Sequence, residues 1–354
     1  MTDENLFKQL FDLFNQPGPV NWRLAAEINK HLTGERQPVE PSVADECRDL
    51  CRLAEFRVGE ASSLPVPTAD EVLAVDQREW AERALTGLGY LGDALARSVL
   101  VDETQLGPMG AVLKPFGPSL VGVQLGTLVA TFAQSAPAAF ATGLPLEGPL
   151  MMVVPNLERL ASENALDPRQ TRLWAAANEV AHRTVWRVGW CRDHLVGLIS
   201  ESAETALLDL GSIMGQLSTM QDAGWMDDLA DRMDALVEES AVRPFRRAQA
   251  AFLSAMAGYG RRLATAAIKP LVPDLAAIES AFDQTAAPSD QPAVPNLLPS
   301  EVDAAAGATF WSEVERRFGM EAVQRFWDSP ENVPSPSELE DPVGWAARVL
   351  LPEF

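Results

Sequence analysis

Trp174-Ala175-Ala176-Ala177-Asn178-Glu179-Val180-Ala181-His182-Arg183 is the stretch on which the reading of this chain turns. Alanine and the straight-chain residues around it favour a helix, and the absence of charge from Leu173 to Asn178 makes that part of it a buried one. One turn of helix places residues i and i+4 on the same face. Two histidines at that spacing, with a glutamate directly after the first, can hold a zinc ion and deprotonate the water bound to it. Glu179 and His182 stand where this chemistry needs them, but Asn178 occupies the position of the first histidine. A neutral amide oxygen is a poor replacement for an imidazole on a borderline-soft cation. The frame of a metal centre is present with one corner removed, and we expect the zinc to be lost.

If a metal survives, His182 is its ligand and Glu179 its general base. Glu201 and Glu204 then fall about one helix-turn-helix downstream, where a third, carboxylate ligand would stand. The competing expectation is a purely structural hydrogen bond between Glu179 and His182. Glu-x-x-His also serves di-iron bundles, where it occurs twice; here it occurs once, and Glu27 and His31 are one position too far apart to repeat it. Cys47, Cys51, Cys191 and His194 offer four nitrogen and sulfur donors, but nothing in their spacing brings the two pairs together. No orienting partner can be read for Cys191 and His194 as a nucleophile and base. No phosphate-binding G-x-x-x-x-G-K-[ST] loop occurs. The tryptophans at 174, 186 and 190 read as core.

The 354 residues are 47% hydrophobic and carry a formal net charge of -22, with three cysteines. That charge repels phosphate backbones and anionic membrane surfaces, so neither nucleic acid nor membrane is expected as a partner. Three cysteines cannot make a disulfide framework, and Cys47 and Cys51, one helical turn apart, are badly oriented for bridging each other. The amino terminus has acids where a secretory signal has bases, which points to the cytoplasm. The longest apolar run, Ser119 to Ala141, is broken by Gln124, Gln134 and Pro137 and reads as buried helix.

Helical periodicity runs through almost the whole chain: Asn5–Phe14, Trp22–Leu32, Ser42–Leu64, Arg78–Val101, Pro118–Phe140, Asn156–Asn164 and Pro168–Val188, then Leu195–Met214, an acidic run Asp222–Ser240, and a run from Pro244 to Lys269. Leu146–Val154 is a buried strand or an extended connection. Strand signals are otherwise nearly absent, so the fold class is all-α or mainly α, with the Asn178–His182 motif on a central buried helix. Composition divides the chain into an N-terminal helical region (1–106), a core carrying the motif (107–284), a proline-rich connector (285–299) and a C-terminal helical segment packing on the core (300–354).

The run from Pro155 to Ile199 carries a family resemblance in four pieces: Pro-Asn-Leu-Glu-Arg-Leu-Ala, Leu-Asp-Pro-Arg, Leu-Trp-Ala-Ala-Ala-Asn-Glu-Val-Ala-His and Trp-Cys-Arg-Asp-His-Leu-Val-Gly-Leu-Ile. Gly18-Pro19-Val20-Asn21-Trp22 near the start matches too, as do Trp327, Pro330-Glu331, Pro334 and Asp341-Pro342 near the end. Together they resemble a mainly actinobacterial family of zincin-like proteins, described as candidate hydrolases or zinc-dependent metalloproteases. One branch is associated with biosynthesis of a deazaflavin cofactor. The resemblance implies a zincin-like helical fold, H-E-x-x-H in this helix, and a Glu-Gly-His-like element in a later helix near Leu253–Tyr259. This chain has Asn178 at the first position and Ser254-Ala255-Met256-Ala257-Gly258 at the second, with neither acid nor imidazole. Only Glu179, as base, and His182, as ligand, carry over.

Two losses point to a non-catalytic branch. We therefore expect no peptidase activity and no cofactor, with a protein partner bound through the old cleft or the acidic surface. The alternative is a zinc-dependent metallohydrolase that keeps zinc on His182 plus carboxylate, with Glu179 as base. Assembly into a homo-oligomer is left open by the sequence.

Overall fold

The computed structural model describes residues 18–99, 117–217, 243–285 and 302–351. The expected helices over Asn5–Phe14 and Asp222–Ser240 lie outside the described residues, as does nearly all of the proline-rich connector.

Thirteen α-helices and one pair of short strands make the described fold mainly α. The first helices are α1 (Trp22–Thr33) and α2 (Pro41–Ala61), followed by β1 (Val72–Val75), α3 (Gln77–Gly87), α4 (Gly89–Val99) and α5 (Gly117–Ser135). After a 3-10 turn at Ala139–Thr142 come β2 (Leu150–Val153), α6 (Val154–Glu163), α7 (Pro168–Trp186) and α8 (Gly189–Leu217). The remainder is α9 (Arg243–Ile268), α10 (Leu275–Thr285), α11 (Ala304–Phe318), α12 (Met320–Arg325) and α13 (Pro342–Leu350). Among these residues no helix is long and apolar enough to cross a membrane.

Short polar side chains start these helices where the chain most needs them. Asp76 accepts the amide of Glu79 at 2.7 Å to open α3, and Asp167 accepts that of Gln170 at 2.8 Å to open α7, with Pro168 at the first helical position. Such a cap is worth about 1 kcal/mol.

The sequence pattern differs from the fold in three places. Val72–Val75 is a strand rather than the run-in to a helix, and it pairs in parallel with Leu150–Val153, Val72 opposite Leu150 and Val75 opposite Val153. Four residues are too few to show a period of two, and only the crossover through α3 to α5 brings the partners together. The expected helix Arg78–Val101 divides at Leu88 into α3 and α4, at the glycines that flank it. Pro118–Phe140 ends as helix at Ser135, because Pro137 cannot continue the ladder; the chain then makes the 3-10 turn that holds Phe140.

α7 is the middle of the core. It packs against α2, α6, α9, α10 and β2, and most of its residues are buried. α5 lies on α1, where Gly126 permits close contact: a Cβ there would come within 2.5 Å of the Ala25 carbonyl oxygen. α9 and α11 cross more tightly still, with Gly258 set directly against the backbone of Gly307. An aromatic cluster of Tyr259, Phe310, Trp311, Phe326, Trp327 and Trp345 seals the far side of α9. Within it the Trp311 indole donates to the Ala255 carbonyl at 2.7 Å.

Candidate functional site

Three elements converge on the motif. α7 supplies Trp174, Asn178 and His182 on successive turns, α9 supplies Ala257 and Arg261, and the 3-10 turn supplies Phe140. The turn is fixed by β2: Ala138 bridges to Met152, and the Val153 amide donates to the Pro137 carbonyl at 2.9 Å. This places the Phe140 amide over α7, where it donates to Oε1 of Glu179 at 2.6 Å.

Glu179 is fully buried and its other oxygen, Oε2, has no hydrogen-bond partner among the described residues. Burial pushes its carboxyl up to about 8, and the amides of Phe140 and Ala139 offset only part of that. At neutral pH it is a buried neutral acid. His182 is only 5% exposed, and burial lowers its imidazole to about 4, so it is neutral as well. Its Nδ1 has no partner among the described residues. Its ring lies roughly parallel to that of Phe140, with centroids 6.3 Å apart. Gly260 of α9 makes room for the ring, since a Cβ there would stand 2.9 Å from both Cδ2 and Nε2.

The expected Glu179–His182 hydrogen bond is therefore absent: the glutamate is held by the backbone of the turn instead. The two side chains sit three residues apart on α7, and the cavity is lined by Asn178 and His182 but not by Glu179.

That cavity has a volume of about 630 Å³. Its walls are aromatic at Phe132, Phe140, Trp174 and Phe282, and its rim carries Arg261, Glu279, Asp283 and Asp303. Arg261 is occupied, pairing with Asp283 at 2.5 Å and with Glu279 at 3.7 Å, while the Thr265 hydroxyl donates to Glu279 at 2.5 Å. Asp303 caps α11 by accepting the amide of Ala306 at 2.8 Å. None of these rim residues was singled out from the sequence. Glu279 and Asp283, four apart, carried a usable signal, since that spacing puts both on one face of a helix. α10 has no counterpart among the helices expected from the sequence.

Glu201 does not reach this place. It is exposed on α8, where its charge bears on His194. Glu204 lies in the same helix, its side chain outside the described residues. Cys47 and Cys51 are buried in α2, and Cys191 in α8. His194 packs edge-on against Phe252, with centroids 4.9 Å apart. Among the described residues no three His, Cys, Asp or Glu side chains converge as a metal ion would require.

The chain belongs to the zincin-like metallopeptidase family, whose profile matches residues 20–346. A solved structure of a candidate hydrolase with a novel fold, from Chloroflexus aurantiacus, is similar to it: the TM-score is 0.63 at 21% identity, covering 94% of this chain and 100% of that one. At that identity the likeness speaks for the fold. Comparison with curated proteins finds no match.

The family implies a zinc ion, and the donors at the motif do not fit one. Asn178 brings a neutral amide, His182 is a single imidazole, and Glu179 is tied to the Phe140 amide. Of the stretch Leu253–Tyr259 on α9, only Ala257 lines the cavity, and its methyl group has nothing to donate. Glu279 and Asp283 are engaged with Arg261.

Proposed function

We propose that this chain is a member of the zincin-like metallopeptidase family that holds no zinc, cuts no peptide bond, and works as a binding protein through the cavity over α7. The observation that carries this reading is the pairing of Asn178 on α7 with Ala257 on α9. With His182 they line one cavity, to which α7 also gives Trp174 and α9 Arg261, and none of these four offers zinc one of its usual donors. The engagement of Glu179 adds to it. A general base must reach the water it deprotonates, whereas Oε1 of Glu179 is taken by a backbone amide and the side chain lies behind the cavity wall. The cavity has the character of a ligand site: concave, aromatic, with a few polar groups.

The alternative, a metallohydrolase on His182 with Glu179 as base, draws on the carboxyl pushed up to about 8, within the range useful for acid-base work. Burial accounts for that shift without any catalytic task. The test is hydrolysis of a mixed peptide library with zinc added. Wild type and Glu179→Gln should be equally inert; turnover that Glu179→Gln abolishes overturns the proposal.

A further inference from the structure

We propose that the cavity takes an organic cation, an ammonium or guanidinium group on an aliphatic arm, seated between its aromatic walls and the carboxylates of its rim. This rests on the metal-free binding role above and names the ligand class of that site.

The sign of the ligand follows from the charges that face the cavity. Three carboxylates, Glu279, Asp283 and Asp303, stand against one guanidinium, Arg261. Arg261 is already paired with two of them. The N-terminus of α11, which lies at the rim, is satisfied by Asp303. Among the described residues no other positive group lines the cavity, and negative charge there is in excess by two on a chain whose formal net charge is -22.

The walls fit the same chemistry. The negative faces of aromatic rings attract ammonium and guanidinium groups, and Phe132, Phe140, Trp174 and Phe282 line one cavity. His182 supplies an independent pointer. It lines the cavity, is 5% exposed, and makes no hydrogen bond among the described residues. An imidazole has one nitrogen that accepts and one that donates, so the unpartnered ring can take an N–H of a cationic head, while the sign of the ligand is set by the carboxylates. A volume of about 630 Å³ admits such a head with several carbons of its arm. The cation can be a free amine or a lysine or arginine side chain of a partner.

Titration calorimetry on the full chain separates these sources, with agmatine and cadaverine as free cations and a short lysine- and arginine-containing peptide as the tethered one. Glutarate serves as the anionic control. At least one cationic probe should bind while glutarate does not, and binding should weaken as salt is raised. Binding of agmatine or cadaverine identifies a free amine; binding of the peptide alone identifies a side chain. In Asp283→Asn combined with Asp303→Asn, affinity should fall at least about tenfold, and Asn keeps the α11 cap so that the variant folds. The proposal is overturned by silence from every cation with folded protein, by preference for glutarate, or by affinity unchanged in the double variant. Zinc content measured on the same preparation judges the metal-free reading separately: a zinc-free protein that ignores cations refutes only the ligand class.

Discussion

Oε1 of Glu179 accepts the Phe140 amide at 2.6 Å, and the ring of the same Phe140 lies parallel to His182. One residue of a 3-10 turn thus holds the motif's acid by its backbone and covers the motif's imidazole by its side chain. Both motif side chains are thereby packed against that turn.

This arrangement makes stability depend on pH in a stated direction. The Glu179 carboxyl is raised from its ordinary value of 4.5 to about 8 by burial. Between those values the unfolded chain has lost the proton that the folded chain keeps, so stability falls as pH rises through the window. The effect is on the order of a few kcal/mol. His182, lowered from 6.5 to about 4, acts the other way and costs stability as pH falls below 6.5. Glu179→Gln keeps an acceptor for the Phe140 amide but does not ionise. Denaturant midpoints should show it gaining on wild type steadily from about pH 5 to pH 8; parallel profiles would show that Glu179 does not titrate in that window.

Gly260 should not tolerate a side chain. A Cβ at 2.9 Å from Cδ2 and Nε2 of His182 must displace the imidazole from its place in the core. Gly260→Ala is expected to cost about 1–3 kcal/mol in unfolding free energy, despite alanine's better helix propensity. A neutral or stabilising effect would mean that the ring moves freely.

Gly258 and Gly307 set the distance between α9 and α11. A Cβ on either would land on the backbone of the other helix, against Gly307 and Ala308 in one case and Ser254 in the other. Neither helix can yield cheaply, because Trp311 is anchored to the Ala255 carbonyl and the Asp303 amide to the Ser254 hydroxyl. Alanine at either position should cost about 3 kcal/mol or more, read as a lowered thermal midpoint.

Much of this was legible in the residues. The fold class followed from helical periodicity, the start of α7 from Asp167-Pro168, and the burial of the motif helix from its run of small apolar residues. The strand Val72–Val75 was not legible, since its pairing with Leu150–Val153 depends on contact across more than seventy residues of chain. Nor was the role of Phe140. Nothing local shows that a backbone amide after Pro137 will meet Glu179, so the sequence favoured His182 as the partner instead. The rim stayed hidden because Arg261, Glu279 and Asp303 come from three separate helical segments.

If Asn178 and Ala257 are the missing corners, restoring them should restore metal affinity. Asn178→His creates the i, i+4 imidazole pair with His182, and Ala257→His adds a third donor from α9, where the cavity leaves room. Zinc titration with a competing chelator should show affinity rising on the order of tenfold or more at each step. Equal affinity in wild type and the double variant would mean that these positions do not surround a common point.

Whether His182 holds a metal decides between a binding protein and a metallohydrolase. Elemental analysis of the full chain, purified without chelator and without histidine-binding resin, measures this directly. We predict zinc far below one ion per chain, unchanged in His182→Ala. A stoichiometric zinc that disappears in His182→Ala while the protein stays folded would contradict it.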